Sequence, residues 1–292
     1  MKINIAEQDI IFLSYDEPNA EKNYVDLCKK IPWAKRVHGV EGSDAAHKAC
    51  AELSETKHFV TVDGDTIVDP GFLNVVLDLD AMGVDDDYQF SWCGNINING
   101  LKYGNGSLKM WTKEFVKNMK THENTDGNDD TMIEFCYFDN YYQLNENFST
   151  SIINATPHQA WRAGFREGVK MSLNRGARVS DLSKDIWWQN YHRLLIWMNV
   201  GADVKNGLWA IYGARLGCYL AYCTEWDISQ TRDFVFLNEF WKEHESKMLL
   251  DEIRTLGQKL GEAGLPVSPE PFNEGQSKMF KTVYENTPRV IR

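Results

Sequence analysis

The chain is predicted to be an α/β protein, with a mostly parallel central sheet flanked by helices and a C-terminal helical appendage. Apolar β-branched runs alternate with helical spacing through the first 65 residues. That strand–helix–strand–helix–strand order signals right-handed parallel connections. Past residue 225 the pattern changes to one long amphipathic stripe of Phe234, Leu237, Trp241, Met248, Leu249, Ile253, Leu256 and Leu260. The expected division is a main α/β domain over 1–225 and a helical extension with tail over 226–292.

Each element has its own signal. Ile10–Tyr15 is an apolar run closing on Ser14 and Asp16, and Tyr24, Leu27, Cys28 and Ile31 give Ala20–Ile31 helical spacing. Arg36–Val40 is a short second strand, and Ser43 or Asp44 can cap a helix over Ala45–Glu55. His58–Val62 is the third strand. Phe72–Met82 is expected as helix, Tyr88–Cys93 and Glu134–Tyr142 as strands, and Asp85–Asp87 as a solvated turn. Pro157 after Thr156 suits the first turn of a helix reaching Met171. Ala202–Tyr222, bearing Gly207, Gly213 and Gly217, reads as a tightly packed core helix or helix pair, and Asp233–Leu260 as amphipathic helix. The proline-bearing tail from Gly261 is expected to be extended.

Composition narrows the function classes. The 292 residues are 43% hydrophobic and 25% charged, ordinary for a globular chain with a sizeable core. No apolar run is long enough for a transmembrane helix, and Met1–Asp9 lacks a leader-like stretch, so a cytoplasmic protein with no membrane partner is expected. Six scattered cysteines without a Cys-x-x-Cys pair read as reduced thiols rather than a zinc site. A net charge of −11 argues against a general nucleic-acid binder. Yet Lys102–Lys120 holds five lysines against Glu114, and Arg162–Arg178 five basic residues against Glu167. Lys109, Lys113 and Lys117 recur every four residues, as do Arg162, Arg166 and Lys170, which on helices gives two basic stripes. Each alone is an ordinary solvated face; together they favour a polyanionic acceptor.

The chemistry concentrates at His58-Phe59-Val60-Thr61-Val62-Asp63-Gly64-Asp65. A buried-type strand ends in two carboxylates one glycine apart, at the sheet edge where open α/β folds bind ligands. Acids so close need a cation or proton between them. Their oxygens suit Mg²⁺ or Mn²⁺, which take few protein ligands when a substrate phosphate supplies others. Bare Asp-Gly-Asp also occurs in turns and calcium loops. No Gly-x-Gly-x-x-Gly follows these strands, so no nicotinamide or flavin is expected. Gly94–Gly106, rich in glycine and asparagine, offers close backbone approach or simple turns.

Several stretches together resemble phage-encoded GT-A glycosyltransferases. They are Phe12–Ala20, Arg36–Val40, Ala46–Ala49, Val62–Asp65, Asn99–Leu101, Tyr103–Gly106, Gln159–Gly168, Val200–Asp203 and Tyr212–Gly217, spanning about Ile10 to Tyr222. The resemblance implies a UDP-sugar donor, a Mn²⁺ or Mg²⁺ ion, and an acceptor such as 5-hydroxymethylcytosine in double-stranded viral DNA, modified for instance by arabinosyl transfer in the host cytoplasm. It places Ser14, Tyr15 and Asp16 by the nucleotide base, with His38 and Gly39 beside them. His47 and Lys48 would hold nucleotide or ribose, Lys48 reaching the diphosphate. Asp65 would ligate the metal directly, and Asp63 the ribose or the ion through water, around Gly64. Asn105, Gly106 and Trp111 would form the wall where sugar and acceptor meet. Arg162 and Arg166 complete the binding set.

One departure matters. Where many such enzymes carry an acidic base this chain reads Asn154-Ala155-Thr156-Pro157. Asp139, Asp181 and Asp203 are the candidates for that base, and His192, His158 and His122 for a further metal ligand. Three other readings stay open: transfer to a glycan or protein, a haloacid-dehalogenase-like phosphatase with Asp63 as nucleophile and Asp65 as general acid, and a non-catalytic nucleotide-sugar binding module. Against the phosphatase, Ile67 stands where Thr or Val is expected, and two strands precede the motif.

Overall fold

The computed structural model describes residues 1–119 and 139–284. His122, Lys120, Cys136 and most of the strand expected over 134–142 lie outside the described residues. The described chain divides into two compact units: Met1–Ile96 with Lys102–Ile152, and Asn97–Leu101 with residues 153–284. The boundary expected at residue 225 falls inside the second unit.

The first unit runs through β1 (Lys2–Asn4), β2 (Asp9–Ser14), α1 (Ala20–Lys30), β3 (Lys35–His38), α2 (Ser43–Leu53), β4 (His58–Asp63) and β5 (Thr66–Val68). It continues with β6 (Val76–Asp78), α3 (Leu79–Met82), β7 (Gln89–Ile96), β8 (Lys102–Tyr103), β9 (Leu108–Thr112), α4 (Lys113–Asn118) and β10 (Tyr141–Ser151). β1 and β6 form a small antiparallel pair. The main sheet has the order β3-β2-β4-β9-β7-β10-β5, with β8 paired to β7.

The expectation of a mostly parallel sheet is corrected here. β3, β2 and β4 are parallel, as are β7 and β10, but β9 runs antiparallel to both β4 and β7, and β5 antiparallel to β10. The sheet is mixed. It also curls, because only Gly64 and Asp65 separate β4 from β5, although these strands are third and seventh in the pairing order.

Alternation along β2 explains the two cores. Ile10 and Phe12 face a cluster with Val60, Val62, Phe90, Trp92 and Met110, covered by Leu27 of α1. Ile11 faces the other way, with Val37, Phe59 and Trp111, covered by Cys50 and Ala51 of α2 and Val116 of α4. The helix expected over 72–82 forms only a 3₁₀ turn, Pro70–Asn74, then β6 and the single turn α3. Asp69 and Asp78 cap those short pieces and interrupt any longer helix.

The second unit is helical: α5 (Pro157–Lys170), α6 (Leu182–Asp185), α7 (Trp188–Trp197), α8 (Gly207–Cys223), α9 (Phe234–Lys242), α10 (Leu249–Glu262) and α11 (Glu274–Val283). Thr156 caps α5 as the sequence predicts, accepting from the Gln159 N–H with Pro157 at the first turn. α5 and α8 meet through glycine. A Cβ on Gly164 or Gly168 would stand 2.0 or 2.3 Å from the Ala210 or Ala214 carbonyl oxygen. On Gly213 or Gly217 it would stand 2.2 Å from that of Trp161 or Phe165. The two backbones therefore touch along a side-chain-free seam. The stripe expected to be one helix over 233–260 is broken between α9 and α10. The tail expected to be extended contains α11, started by an Asn273–Gln276 capping box. Arg215 is fully buried on α8. It donates to the carbonyls of Met198, Ile253 and Pro269 and to Asn199 Oδ1, tying α8 to α10 and the segment before α11.

Candidate functional site

The acidic pair sits at the carboxyl end of β4, beside the end of β2. From β2 the chain moves to β3 on one side, then returns past β2 to β4 on the other. The loops leaving β2 and β4 therefore start side by side at the carboxyl ends of these parallel strands, the edge where doubly wound sheets bind ligands. Ser14, His38 and Asp63 occupy these ends; Leu13 is registered against Asp63 and Ser14 against His38.

Gly64 lets the two loops close on each other. An added Cβ would lie 2.5 Å from Glu17 Oε2 and 2.9 Å from Ser14 Cβ, so the β2 loop reaches across the turn between the carboxylates. Glu17 Oε2 also accepts the Tyr15 N–H at 2.8 Å, shaping that loop. The Gly64 carbonyl accepts from Asn23 Nδ2 of α1 at 3.1 Å, and the Asp65 carbonyl from the Ile152 N–H at 2.7 Å. Thr66 Oγ1 donates to Asp65 Oδ1 at 3.3 Å. The Asp63 N–H donates to the Ser107 carbonyl at 3.2 Å. Both carboxylates are thus held on fixed backbone, each partly exposed. Burial, then the nearby charge of Asp63, pushes the Cys50 thiol up to about 12, leaving it a neutral core group.

On one side, Ser14 Oγ and His38 Nδ1 are 3.0 Å apart, and Arg36 Nε donates to Ser14 Oγ at 3.1 Å. The Arg36 guanidinium lies 5.0 Å over the Tyr24 ring and pairs with Glu21 at 2.6 Å. Tyr15, Asp16, His38 and Gly39 are exposed along this rim. On the other side, Asn105 Oδ1 accepts from Ser107 Oγ at 2.9 Å, and Asn105 Nδ2 donates to Ser151 Oγ at 3.1 Å. Ser107 Oγ and Ser149 Oγ are 2.7 Å apart. Gly94 admits this network, since a Cβ there would reach Ser107 Oγ at 2.6 Å.

Ser14, Tyr15, Asp16, His38, Gly39, Asp63, Gly64, Asp65, Asn105 and Gly106 therefore gather at one sheet edge. Other expected residues are placed differently. Trp111 is fully buried, donating from Nε1 to Thr61 Oγ1 at 2.8 Å with its ring against Phe115, so it belongs to the core and forms no acceptor wall. His47 is buried edge-on to Trp111 and hydrogen-bonded to the Ser43 carbonyl at 2.8 Å. Lys48 pairs with Asp44 at 2.5 Å, one turn back on α2. Asp139 precedes β10 at the end registered with Gln89, and Gln89 receives the N–H of Thr112, the partner of His58. That is the sheet edge opposite Asp63, so Asp139 is removed from the acidic pair by the length of the strands.

In the second unit, Asp203 pairs with Lys281 at 2.6 Å, and Asp181 caps α6 and pairs with Lys184 at 2.5 Å. His158 stacks on Trp241, and His192 is exposed beside Trp188. Arg162 and Arg166 share a face of α5 and lie over the Phe234 ring. The lysine stripe does not form: Lys109 is in β9, and only Lys113 and Lys117 are on α4.

Glu17, Asn23, Arg36, Ser107, Ser149 and Ser151 were not anticipated as site residues. Glu17 had a signal, adjoining Asp16 in the loop after the first strand. The serines had little, because β10 was not anticipated beyond Tyr142.

The fold and site define a mixed α/β unit with two carboxylates at the carboxyl end of its central parallel strands. No protein-family model and no curated protein matches the chain. Among solved structures it is similar to a glycosyltransferase involved in glycosylation of the major capsid of PBCV-1, at 12% identity and TM-score 0.32, covering 52% of this chain and 98% of that one. HddC from Yersinia pseudotuberculosis aligns at 15% identity and TM-score 0.29, over 50% and 74% of the two chains. The glycosyltransferase GlyE of Streptococcus pneumoniae TIGR4 aligns at 12% identity and TM-score 0.29, over 81% and 64%. With TM-scores this low the likenesses stand beside the site's geometry and carry none of the argument.

Proposed function

We propose that this chain is a metal-dependent glycosyltransferase using a nucleotide-diphosphate sugar, UDP-linked, as donor. One observation carries the reading: Asp63 and Asp65 flank a glycine at the carboxyl end of β4, packed against the loop that leaves the adjacent parallel strand β2. The donor set fits Mn²⁺ or Mg²⁺, being two hard carboxylates on anchored backbone. Among the described residues no group of three His, Cys, Asp or Glu forms a ready metal cage. An ion here would complete its shell with water and substrate oxygens, the arrangement expected when a diphosphate accompanies it. When bound, that ion would neutralise charge developing on the leaving diphosphate.

The remaining roles fall to the rim. Tyr15, half exposed beside Ser14, offers a ring for the base, and the Ser14–His38–Arg36 group offers polar contacts to ribose. Asn105, partly exposed and held from beneath by the buried Ser107 and Ser151 hydroxyls, offers its amide toward the sugar. The acceptor we propose is 5-hydroxymethylcytosine in DNA, resting on the sequence resemblance together with the arginines of α5 and no longer on a lysine stripe. Asp139 stands at the wrong edge to be the base, and Asp203 is held by Lys281.

The test is donor hydrolysis by purified protein across UDP-sugars, with and without Mn²⁺. Metal-dependent UDP release that falls at least tenfold in Asp65→Asn supports the reading. Cleavage of a simple phosphomonoester through a phosphoenzyme at Asp63 would replace it with the phosphatase. Transfer to hydroxymethylated DNA, compared with glycan acceptors, decides the acceptor.

A further inference from the structure

The exposed histidine at the end of β3 carries its proton in a defined place. Arg36 and His38 lie two residues apart on one face of β3, and His38 is registered against Ser14 of β2. Arg36 Nη2 stands 3.2 Å from His38 Nδ1, and a guanidinium nitrogen can only donate. Ser14 Oγ accepts from Arg36 Nε at 3.1 Å, which leaves its own proton for the same Nδ1 at 3.0 Å. Nδ1 is therefore the acceptor of the ring, and the proton of the neutral imidazole sits on Nε2.

The guanidinium that sets this is itself fixed. It pairs with Glu21 at 2.6 Å and lies over the Tyr24 and Phe12 rings, 5.0 and 5.7 Å from their centroids. His38 is exposed, and both of its hydrogen bonds among the described residues use Nδ1. There is room beside it: Gly39 follows at φ +73°, and a Cβ added there would meet nothing within 4 Å. The end of β3 thus carries one fixed N–H donor next to open space.

Leu13 is registered against Asp63 and Ser14 against His38, so the donor and the acidic pair stand two strand spacings apart, roughly 10 Å. One nucleotide covers that reach from its diphosphate to its base. A ribose hydroxyl can donate or accept and would need no fixed proton, whereas a base carbonyl only accepts. His38 is therefore better matched to a base edge than to ribose. Uracil turns a carbonyl outward where cytosine turns an amino group. We propose that His38, held in its Nε2–H form by Arg36 and Ser14, selects uracil over cytosine by donating to the O4 carbonyl, with Arg36 as the positioning residue. This rests on the nucleotide-diphosphate reading above and specifies which nucleotide the site takes.

Titration calorimetry of UDP and CDP into the full chain with Mn²⁺ gives the ratio of the two affinities. Nitrogen-15 imidazole spectra at about pH 8, where an ordinary imidazole is neutral, give the tautomer once His38→Gln has assigned the signal. Wild type should favour UDP about tenfold or more, with the proton on Nε2. A Gln amide offers donor or acceptor by rotating, so His38→Gln should bring the two affinities within about threefold of each other. A carboxylate only accepts, so His38→Glu should favour CDP. Arg36→Met, its fold checked by far-UV circular dichroism, frees Ser14 to donate or accept; it should spread the proton over both nitrogens and lower the UDP preference with the ring still present. Equal wild-type binding of UDP and CDP, or a ratio unchanged in His38→Gln, overturns the selection. An unchanged His38 tautomer in Arg36→Met overturns the positioning role. Absence of Mn²⁺-dependent binding of either nucleotide removes the nucleotide reading itself, a result distinct from equal binding of the two.

Discussion

The side-chain amide of Asn23 donates to the carbonyl oxygen of Gly64 at 3.1 Å in a buried contact, fastening α1 to the turn between the two carboxylates. Removing the amide strands a buried acceptor, which costs about 1–3 kcal/mol. Asn23→Leu should therefore lower the urea midpoint and weaken Mn²⁺-dependent UDP binding together. A loss of stability with unchanged nucleotide binding would show that the turn keeps its shape without α1.

Gly64 admits no side chain without movement. In Gly64→Ala the Glu17 carboxylate can swing away, but Ser14 Cβ, 2.9 Å from the new methyl, is fixed to β2. We expect about 1–3 kcal/mol of destabilisation and at least a tenfold loss of UDP binding. Adding Glu17→Ala should restore little stability. Full recovery in the double variant would mean that the carboxylate alone was the obstacle.

The α5–α8 seam predicts the largest structural effect. Gly168→Val would drive a branched side chain into the Ala214 backbone, whose oxygen already lies 2.3 Å from an ideal Cβ. The helices must separate, and the variant should lose cooperative thermal unfolding by circular dichroism. A melting temperature within a few degrees of wild type would contradict so close a packing.

Burial, and secondarily the charge of Lys247, push the His244 imidazole from 6.5 down to about 4. Its Nδ1 and the Tyr212 hydroxyl share a hydrogen bond of 2.5 Å. The unfolded chain takes up this proton near pH 6.5 and the folded one only near pH 4, so stability falls as pH drops through that window. The loss totals about 3 kcal/mol. His244→Gln should flatten the dependence of the urea midpoint between about pH 7 and pH 5; an unchanged slope would assign it to other groups.

The early part of the fold was legible because its signals are local. β2, α1, β3, α2 and β4 fall within a few residues of their expected spans, each having a clean apolar period and a capping or turn residue at its end. The antiparallel course of β9 was not legible, since strand direction depends on pairing across distant segments. The helix expected over 72–82 failed for a local reason: Val75-Val76-Leu77 suits a strand, and Asp78 restarts the chain as a cap. Lysines four apart made a stripe only on the assumption of helix, and Lys109 lies in a strand. In the site, the residues around Asp63 and Asp65 were legible as strand-end polar groups. Trp111 was not, because a tryptophan two residues beyond a lysine looks alike on a wall or in a core. α11 was missed through reading the prolines before it and overlooking Asn273 and Gln276.

The central claim is that Asp63 and Asp65 hold a divalent ion which in turn holds a nucleotide diphosphate. Titration calorimetry of UDP into wild-type, Asp63→Asn and Asp65→Asn protein, each with and without Mn²⁺, tests it most directly. The account predicts tight binding to wild type only with Mn²⁺, and at least tenfold weaker binding in Asp65→Asn while its unfolding curve stays cooperative. UDP binding equally well without metal, or undiminished in both variants, would contradict it.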